Sequence, residues 1–192
     1  MNHKYYFKMK SIKKGYLLIA EPNMYQDYNF GRSVIFLVEH DKLGSVGFIL
    51  NKIHEHSSKD LIPEIKYDFP IFKGGPVDTE NLYYIHDQPD LIENSLKVNS
   101  NLYWGGDFKD VINNINNKKL KLNNIKFFLG YSGWGINQLA DEVYISSWIL
   151  RKSYLKSEIL SESSKNIWKN NLVKLGGNYL IWANSPRNPN HN

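Results

Sequence analysis

Two histidines stand where apolar runs end. His40 closes RSVIFLVEH (32–40), between Glu39 and Asp41, and His86 ends NLYYIH (81–86) just before Asp87. A histidine and a carboxylate at two strand ends form an acid/base pair if the ends converge; otherwise they hydrogen-bond to turns. GYSGWG (130–135) sets Ser132 among glycines, but the nucleophile turn of a hydrolase needs glycine two residues either side of the serine. Here Trp134 stands two after it. The stretch therefore reads as a corner at the end of a buried strand, with Trp134 packed over it. FKGGPVD (72–78) lacks the lysine and hydroxyl of a phosphate loop. It is a simple turn, or an anion-binding nest built on the N–H groups of Gly74 and Gly75. His54 and His56 flank Glu55, and His-x-His chelates metals on a strand, but no third ligand follows at suitable spacing. The chain has no cysteine, which excludes disulfides, thiolate nucleophiles and Cys-based zinc sites. No metal and no cofactor is expected.

Strands position most of these residues. GYLLIAEP (15–22), RSVIFLVEH (32–40) and SVGFILN (45–51) are nearly continuous in apolar residues, which predicts strands buried on both faces. The last two, joined by the turn DKLG, form an antiparallel hairpin. Residues 52–65 are polar, with a short helix capped by Ser57 or Ser58 before Pro63. FPIFK (69–73), NLYYIHD (81–87), LYWGG (102–106) and IKFFLGYSG (125–133) are further strands. Asp107 caps a helix in which Phe108, Val111, Ile112 and Ile115 share one face. INQLADEV is one helical turn, VYISSWIL (143–150) a strand or extended arm, 161–177 a helix ended by Gly-Gly, and YLIWAN (179–184) a last strand. Arg32, entering a buried strand, is expected to pair with Asp27. The order is mixed rather than alternating, which points to one α+β domain over residues 1–192 with a largely antiparallel or mixed sheet. A basic N-terminal extension covers 1–14 and a polar tail 185–192.

With 192 residues, 42% hydrophobic and 14% aromatic, the chain has enough apolar side chain for a sizeable core. No apolar run approaches the roughly 18 residues of a membrane helix, and the N-terminus lacks a signal-peptide apolar region; a cytoplasmic protein without a membrane partner is expected. The net charge of +5 is unevenly spread: residues 1–26 carry +4, 27–150 carry −4 and 151–192 carry +5. An acidic body with basic ends is not the surface of a nucleic-acid reader, and charge runs mostly solvate a face.

Several stretches together resemble the YqgE/AlgH family: GYLLIAEP, D-x-x-F-x-R-S-V-I-F-L-V-E-H (27–40), G-x-x-G-F-I-L-N (44–51), GGPV (74–77), I-H (85–86), W-G-G-D (104–107), GYSGWG-x-x-QL (130–139) and the trailing Trp148. Residues 15 to 190 are covered, and the specificity lies in the shared order of the motifs. The resemblance implies a bifurcated, barrel-like, largely antiparallel mixed sheet with helices packed outside, in a bacterial cytosolic protein. It implies no settled activity and no cofactor, although the AlgH branch is described as a regulator of transcription affecting exopolysaccharide production. The family's motif residues fall on Asp27, Phe30, Arg32, Glu39, His40, Asn51, Gly74, Gly75, Pro76, His86, Gly130, Trp134, Gln138 and Glu142. The chain departs from the pattern at Asn51-Lys52-Ile53, where the family has Asn-Arg-Pro. It departs again at Ala140, where the family has glutamate and Glu142 is the nearest substitute.

The leading expectation is a non-enzymatic binding or regulatory protein. Its pocket would gather Glu39, His40, Gly74, Gly75, Pro76, His86, Trp134 and Gln138, and its partner would be a small ligand or another protein. The alternative is a hydrolase using His40 or His86 with Glu39 or Asp87. Direct DNA binding is disfavoured by the acidic body and the lack of a basic recognition helix, although Lys165 and Lys169 share a helix face.

Overall fold

The apolar runs at 16–20 and 34–38 have no exposed face. In the computed structural model, which describes residues 12–152, 155–161 and 165–186, β1 (Tyr16–Ala20), β2 (Val34–His40) and β3 (Ser45–Ile49) pair antiparallel in that order. Side chains alternate across a strand. Leu17, Ile19, Val34, Phe36 and Phe48 therefore enter one core, and Leu18, Ala20, Ile35, Leu37 and Ile49 a second. β2 and β3 are the expected hairpin, with a bulge between Leu37 and Glu39.

The polar stretch after β3 is a strand as well. β4 (Ile53–Ser57) pairs with β5 (Pro70–Lys73). It is an edge strand, mostly exposed, which is why its sequence carries no apolar alternation. The short helix α1 (Ser58–Leu61) follows, with the Ser57 N–H donated to Asp60 Oδ2 at 2.8 Å. β6 (Val77–His86), β7 (Leu96–Lys97) and β8 (Tyr103–Trp104) build the far side of the sheet. Asp107 caps α2 (Phe108–Asn116) by accepting from the Lys109 N–H at 2.8 Å.

β9 (Ile125–Trp134) organises the whole. Along one edge it pairs with β6. Along the other it pairs first with β5, in parallel, through Phe128 and Leu129, and then with β3, antiparallel, through Ser132, Gly133 and Trp134. The sheet forks between those contacts. α3 (Gln138–Tyr144) returns the chain to β10 (Trp148–Lys152), which pairs with β1 at the outer edge. The helix α3 is longer than the single turn expected, and strand structure begins only at Trp148.

α4 (Lys156–Leu160), α5 (Ile167–Leu175) and α6 (Tyr179–Asn184) complete the described chain. The stretch YLIWAN, expected as a strand, is the helix α6: a six-residue apolar run does not by itself distinguish strand from helix, and Ala183 alone of these residues is buried. α4, α5 and α6 supply Ile159, Leu160, Trp168, Leu172 and Ala183 to the core shared by both halves of the sheet. α3 and α2 cover the opposite faces of the two halves. The result is a mixed α+β fold, six helices on a curled, largely antiparallel half-barrel. Among the described residues no helix is long and apolar enough to cross a membrane.

Ile12 packs into the second core and Lys14 Nζ donates to the Lys97 carbonyl. Residues 1–11 of the basic N-terminal stretch lie outside the described residues, as does the tail beyond Pro186.

Candidate functional site

The eight residues singled out from the sequence fall in three places, not one. His86 pairs with Ile125 at the start of β9, whereas Trp134 pairs with Ser45 at its end. At about 3.3 Å per residue the two ends lie roughly 30 Å apart. Glu39, His40, Trp134 and Gln138 gather at the far end of β9. Gly74, Gly75 and Pro76 lie between, at the fork.

His86 is fully buried. Its Nδ1 accepts from the Gln88 N–H at 3.2 Å, so the proton sits on Nε2, 3.2 Å from the Gly105 carbonyl and 3.0 Å from Ser95 Oγ. Ser95 donates its own hydroxyl to the Ile92 carbonyl at 2.7 Å. The ring therefore has no basic nitrogen facing that serine. Asp87 does not touch His86; it accepts from Lys156 Nζ at 2.5 Å, Asn124 Nδ2 at 2.7 Å and Gln88 Nε2 at 2.9 Å. Burial pushes the Asp87 carboxyl up, but those three donors outweigh it and hold it below the usual range. His40 Nδ1 meets Ser45 Oγ at 2.8 Å. Neither ring makes a carboxylate contact among the described residues, so the histidine–carboxylate pair required by the hydrolase reading is not assembled.

Burial lowers the His86 pKa below 6.5, against a smaller raising influence of the Gly105 carbonyl and Asp87. The unfolded chain then binds the proton more readily than the folded one. The stability contributed by neutral His86 is complete above the ordinary histidine pKa and is lost as pH falls below it. The melting temperature is expected to drop between pH 7 and pH 5, and a rise over that range would contradict the assignment.

At the other end of β9, Trp134 Nε1 and Trp148 Nε1 both donate to Glu142 Oε2, at 2.9 and 2.7 Å. Gln138 Nε2 donates to Glu142 Oε1 at 3.1 Å, and Gln138 Oε1 accepts from the Gly135 N–H at 3.0 Å. Phe30 packs against both indoles. Glu142 is the acceptor that seats two buried tryptophans. Ser132 is likewise structural: its hydroxyl is fully buried and donates to the Gly74 carbonyl at 3.0 Å.

At the fork, Gly74 closes the gap between the two halves. Its N–H donates to Leu129 O at 2.8 Å and its carbonyl accepts from the Ile49 N–H at 3.0 Å. The Gly74 N–H is thus spent in the sheet, and the anion nest at Gly74–Gly75 is not formed. A cavity of about 770 Å³ opens in front of this point instead. The fork makes its floor: Ile49, Leu129, Gly75 and Pro76. The loop between β1 and β2 makes one wall with Tyr25, Tyr28 and Arg32; the start of the β4–β5 hairpin makes another with Lys52, His54 and Lys73; Lys165 closes the rim. Among the described residues no aspartate or glutamate lines it.

The cations are held in different ways. Lys52 Nζ donates to the carbonyls of Tyr28 at 3.2 Å and Asn29 at 2.6 Å. Arg32 does not pair with Asp27, as the sequence had suggested. Its Nη2 donates to the carbonyls of Ser185 and Pro186 at 3.1 and 2.6 Å, and its guanidinium lies 5.1 Å from the Trp168 ring centroid. Asp27 Oδ1 instead accepts from the N–H groups of Asn29 and Phe30, at 2.9 and 2.7 Å, in an Asx turn. The side-chain ammonium groups of Lys73 and Lys165 make no hydrogen bond or ion pair with the described residues. Burial, then Lys73 and His56, hold the His54 pKa below 6.5 against the opposing pull of Glu55. That lowering by a neighbouring lysine is the mark of a locally positive field. An apolar floor with a few converging charges is the form that small-molecule clefts take. It recruits Gly75 and Pro76 from the residues expected. Its lysines gave no signal in the sequence, because each is an ordinary surface residue of its own segment. Among the described residues no group of three histidines or carboxylates is placed to hold a metal.

A family model described as AlgH-like matches residues 17–180. The UPF0301 protein of Bacteroides fragilis is 40% identical over 181 residues, covering 93% of this chain and 91% of that one. The UPF0301 protein of Cytophaga hutchinsonii is 36% identical over 183 residues, covering 94% of this chain and 100% of that one. Among solved structures, a Corynebacterium diphtheriae protein superposes with a TM-score of 0.74 at 20% identity, covering 91% of this chain and 93% of that one. The AlgH protein of Pseudomonas aeruginosa superposes with a TM-score of 0.69 at 23% identity, covering 90% and 94%. At those identities the two structures speak for the fold alone.

Proposed function

The chain belongs to the AlgH-like family, and from that premise together with the fork we propose that it is a non-enzymatic binding protein whose ligand is a small, multiply charged anion. The observation that carries this reading is the convergence of Arg32, Lys52, Lys73 and Lys165 on one cleft with no carboxylate among its described lining residues. Like charges brought close together repel one another, and an anion set between them is attracted by all of them at once. Binding rather than turnover is supported by the state of the candidate catalytic groups: the imidazole of His86 and the hydroxyl of Ser132 are buried in structural hydrogen bonds. A protein of this kind regulates by being occupied or empty, through a change in what it offers a partner.

Calorimetric titration of the full chain with tripolyphosphate at low ionic strength tests the proposal. Saturable binding at one site is expected, weakening as salt is added. Lys73→Glu is expected to reduce the affinity about tenfold or more, the equivalent of roughly 1.4 kcal/mol. Lys73 is exposed, so the melting temperature of that variant is expected to stay close to that of the parent. Absence of binding, or binding indifferent to Lys73→Glu, would overturn the reading.

A further inference from the structure

The cleft is larger than a chain of phosphates requires, and the loop between β1 and β2 adds two tyrosines to its lining. Tyr28 is 91% exposed and Tyr25 50%. An exposed tyrosine on a loose loop means little. The loop bearing these two is fastened at several points. Phe30 is wedged between Trp134 and Trp148, with ring centroids 6.4 and 5.6 Å away. Asp27 Oδ1 ties down the N–H groups of Asn29 and Phe30, and Lys52 Nζ clamps the carbonyls of Tyr28 and Asn29. At Gly31 a side chain would lie 2.7 Å from the Asp27 carbonyl, so the loop closes tightly on itself. The backbone of Tyr28 is fixed while its ring stands in solvent at the mouth of a positive cleft.

We propose that the anion bound at the fork is a nucleotide, its phosphates set between Lys73 and Lys165 and its base stacked on Tyr28. The inference rests on the reading of the fork as an anion site and adds the aromatic half of the ligand. Stacking on an aromatic side chain tolerates every base, since each has a flat π-face. With the loop backbone fixed before binding, stacking costs only the freedom of one side chain. A volume of about 770 Å³ falls in the range of clefts that hold a compact ligand.

The experiment is a set of titrations of the full chain with ATP, tripolyphosphate, adenosine and an octathymidylate strand, repeated on Tyr28→Ala and Tyr28→Phe. ATP is expected to bind at least tenfold tighter than tripolyphosphate. Tyr28→Ala is expected to abolish that difference without changing the tripolyphosphate affinity, and Tyr28→Phe to retain it. Equal affinities for ATP and tripolyphosphate, with no response to Tyr28→Ala, would overturn the nucleotide assignment and leave the anion site standing. Failure of both ATP and tripolyphosphate to bind would remove the anion site as well. Octathymidylate binding tighter than ATP would replace the mononucleotide with a single-stranded nucleic acid.

Discussion

Gly74→Ala is expected to cost about 4 kcal/mol of stability and to lower the melting temperature by roughly 10 °C or more, as for a severe steric clash in a chain of this size. A Cβ at Gly74 would stand 2.0 Å from the Gly130 carbonyl oxygen and 3.1 Å from Phe128 Cβ. The obstructing atom is backbone in the strand that both halves of the sheet share, so relief requires β5 and β9 to separate. The bonds at stake hold the fork itself: Gly74 N–H to Leu129, and Ile49 N–H and Ser132 Oγ to the Gly74 carbonyl. Gly105→Ala is the informative contrast. Gly105 has a left-handed φ of +63°, but an added Cβ would meet nothing within 4 Å, so only the conformational penalty of about 1–2 kcal/mol applies. Thermal melts followed by circular dichroism compare the two. Equal losses would mean that crowding at the fork is not what demands glycine.

Removing the Glu142 carboxylate is expected to be the second largest effect. Trp134 and Trp148 are 5% and 3% exposed, and the N–H of each ends on the same carboxylate oxygen. Hydrogen bonds to a charged acceptor contribute about 1.5–3 kcal/mol, and a buried donor left without a partner forfeits its desolvation energy as well. Glu142→Ala is therefore expected to cost about 3 kcal/mol, and Glu142→Gln, which keeps one acceptor oxygen, roughly half of that. Near-ultraviolet dichroism should change in the same order, because the two indoles lie edge to face, 6.1 Å apart and at 82°. A neutral Glu142→Ala would show that packing alone seats the tryptophans.

The elements that the sequence made legible are those whose local chemistry agrees with their setting. The β2–β3 hairpin announces itself because both strands are buried on both faces and joined by a short turn. α2 does so because Asp107 caps an amphipathic stretch. β4 was hidden because an exposed edge strand has no apolar face to display, and α6 because YLIWAN is apolar at five of its six positions and owes its helical state to Gly176 and Gly177, which turn the chain back along α5 with φ of 70° and 53°. The candidate site was legible only in part. Glycines and proline at 74–76 were visible as a turn. The lysines were not, since Lys52 and Lys73 lie within residues 27–150, whose net charge is negative, and Lys165 stands far from both along the chain. Proximity of Arg32, Lys52, Lys73 and Lys165 is created by the register of β9 with two different neighbours, which no local pattern records. The same register explains why His40 and His86, each at a strand end, are ends of opposite sense.

That double register also orders events in time. The hairpins β2–β3 and β4–β5 close over short stretches of chain and can form early, but each lacks its permanent neighbour until Ile125–Trp134 arrives, some 50 to 90 residues later in the chain. Pairings between distant segments must bear the entropy of closing the intervening loop before any contact repays it. During synthesis the three strands β1, β2 and β3 and the β4–β5 pair therefore leave the ribosome before β9, the strand that pairs with both groups. The cleft is complete only once β9 and, after it, Lys165 have joined them.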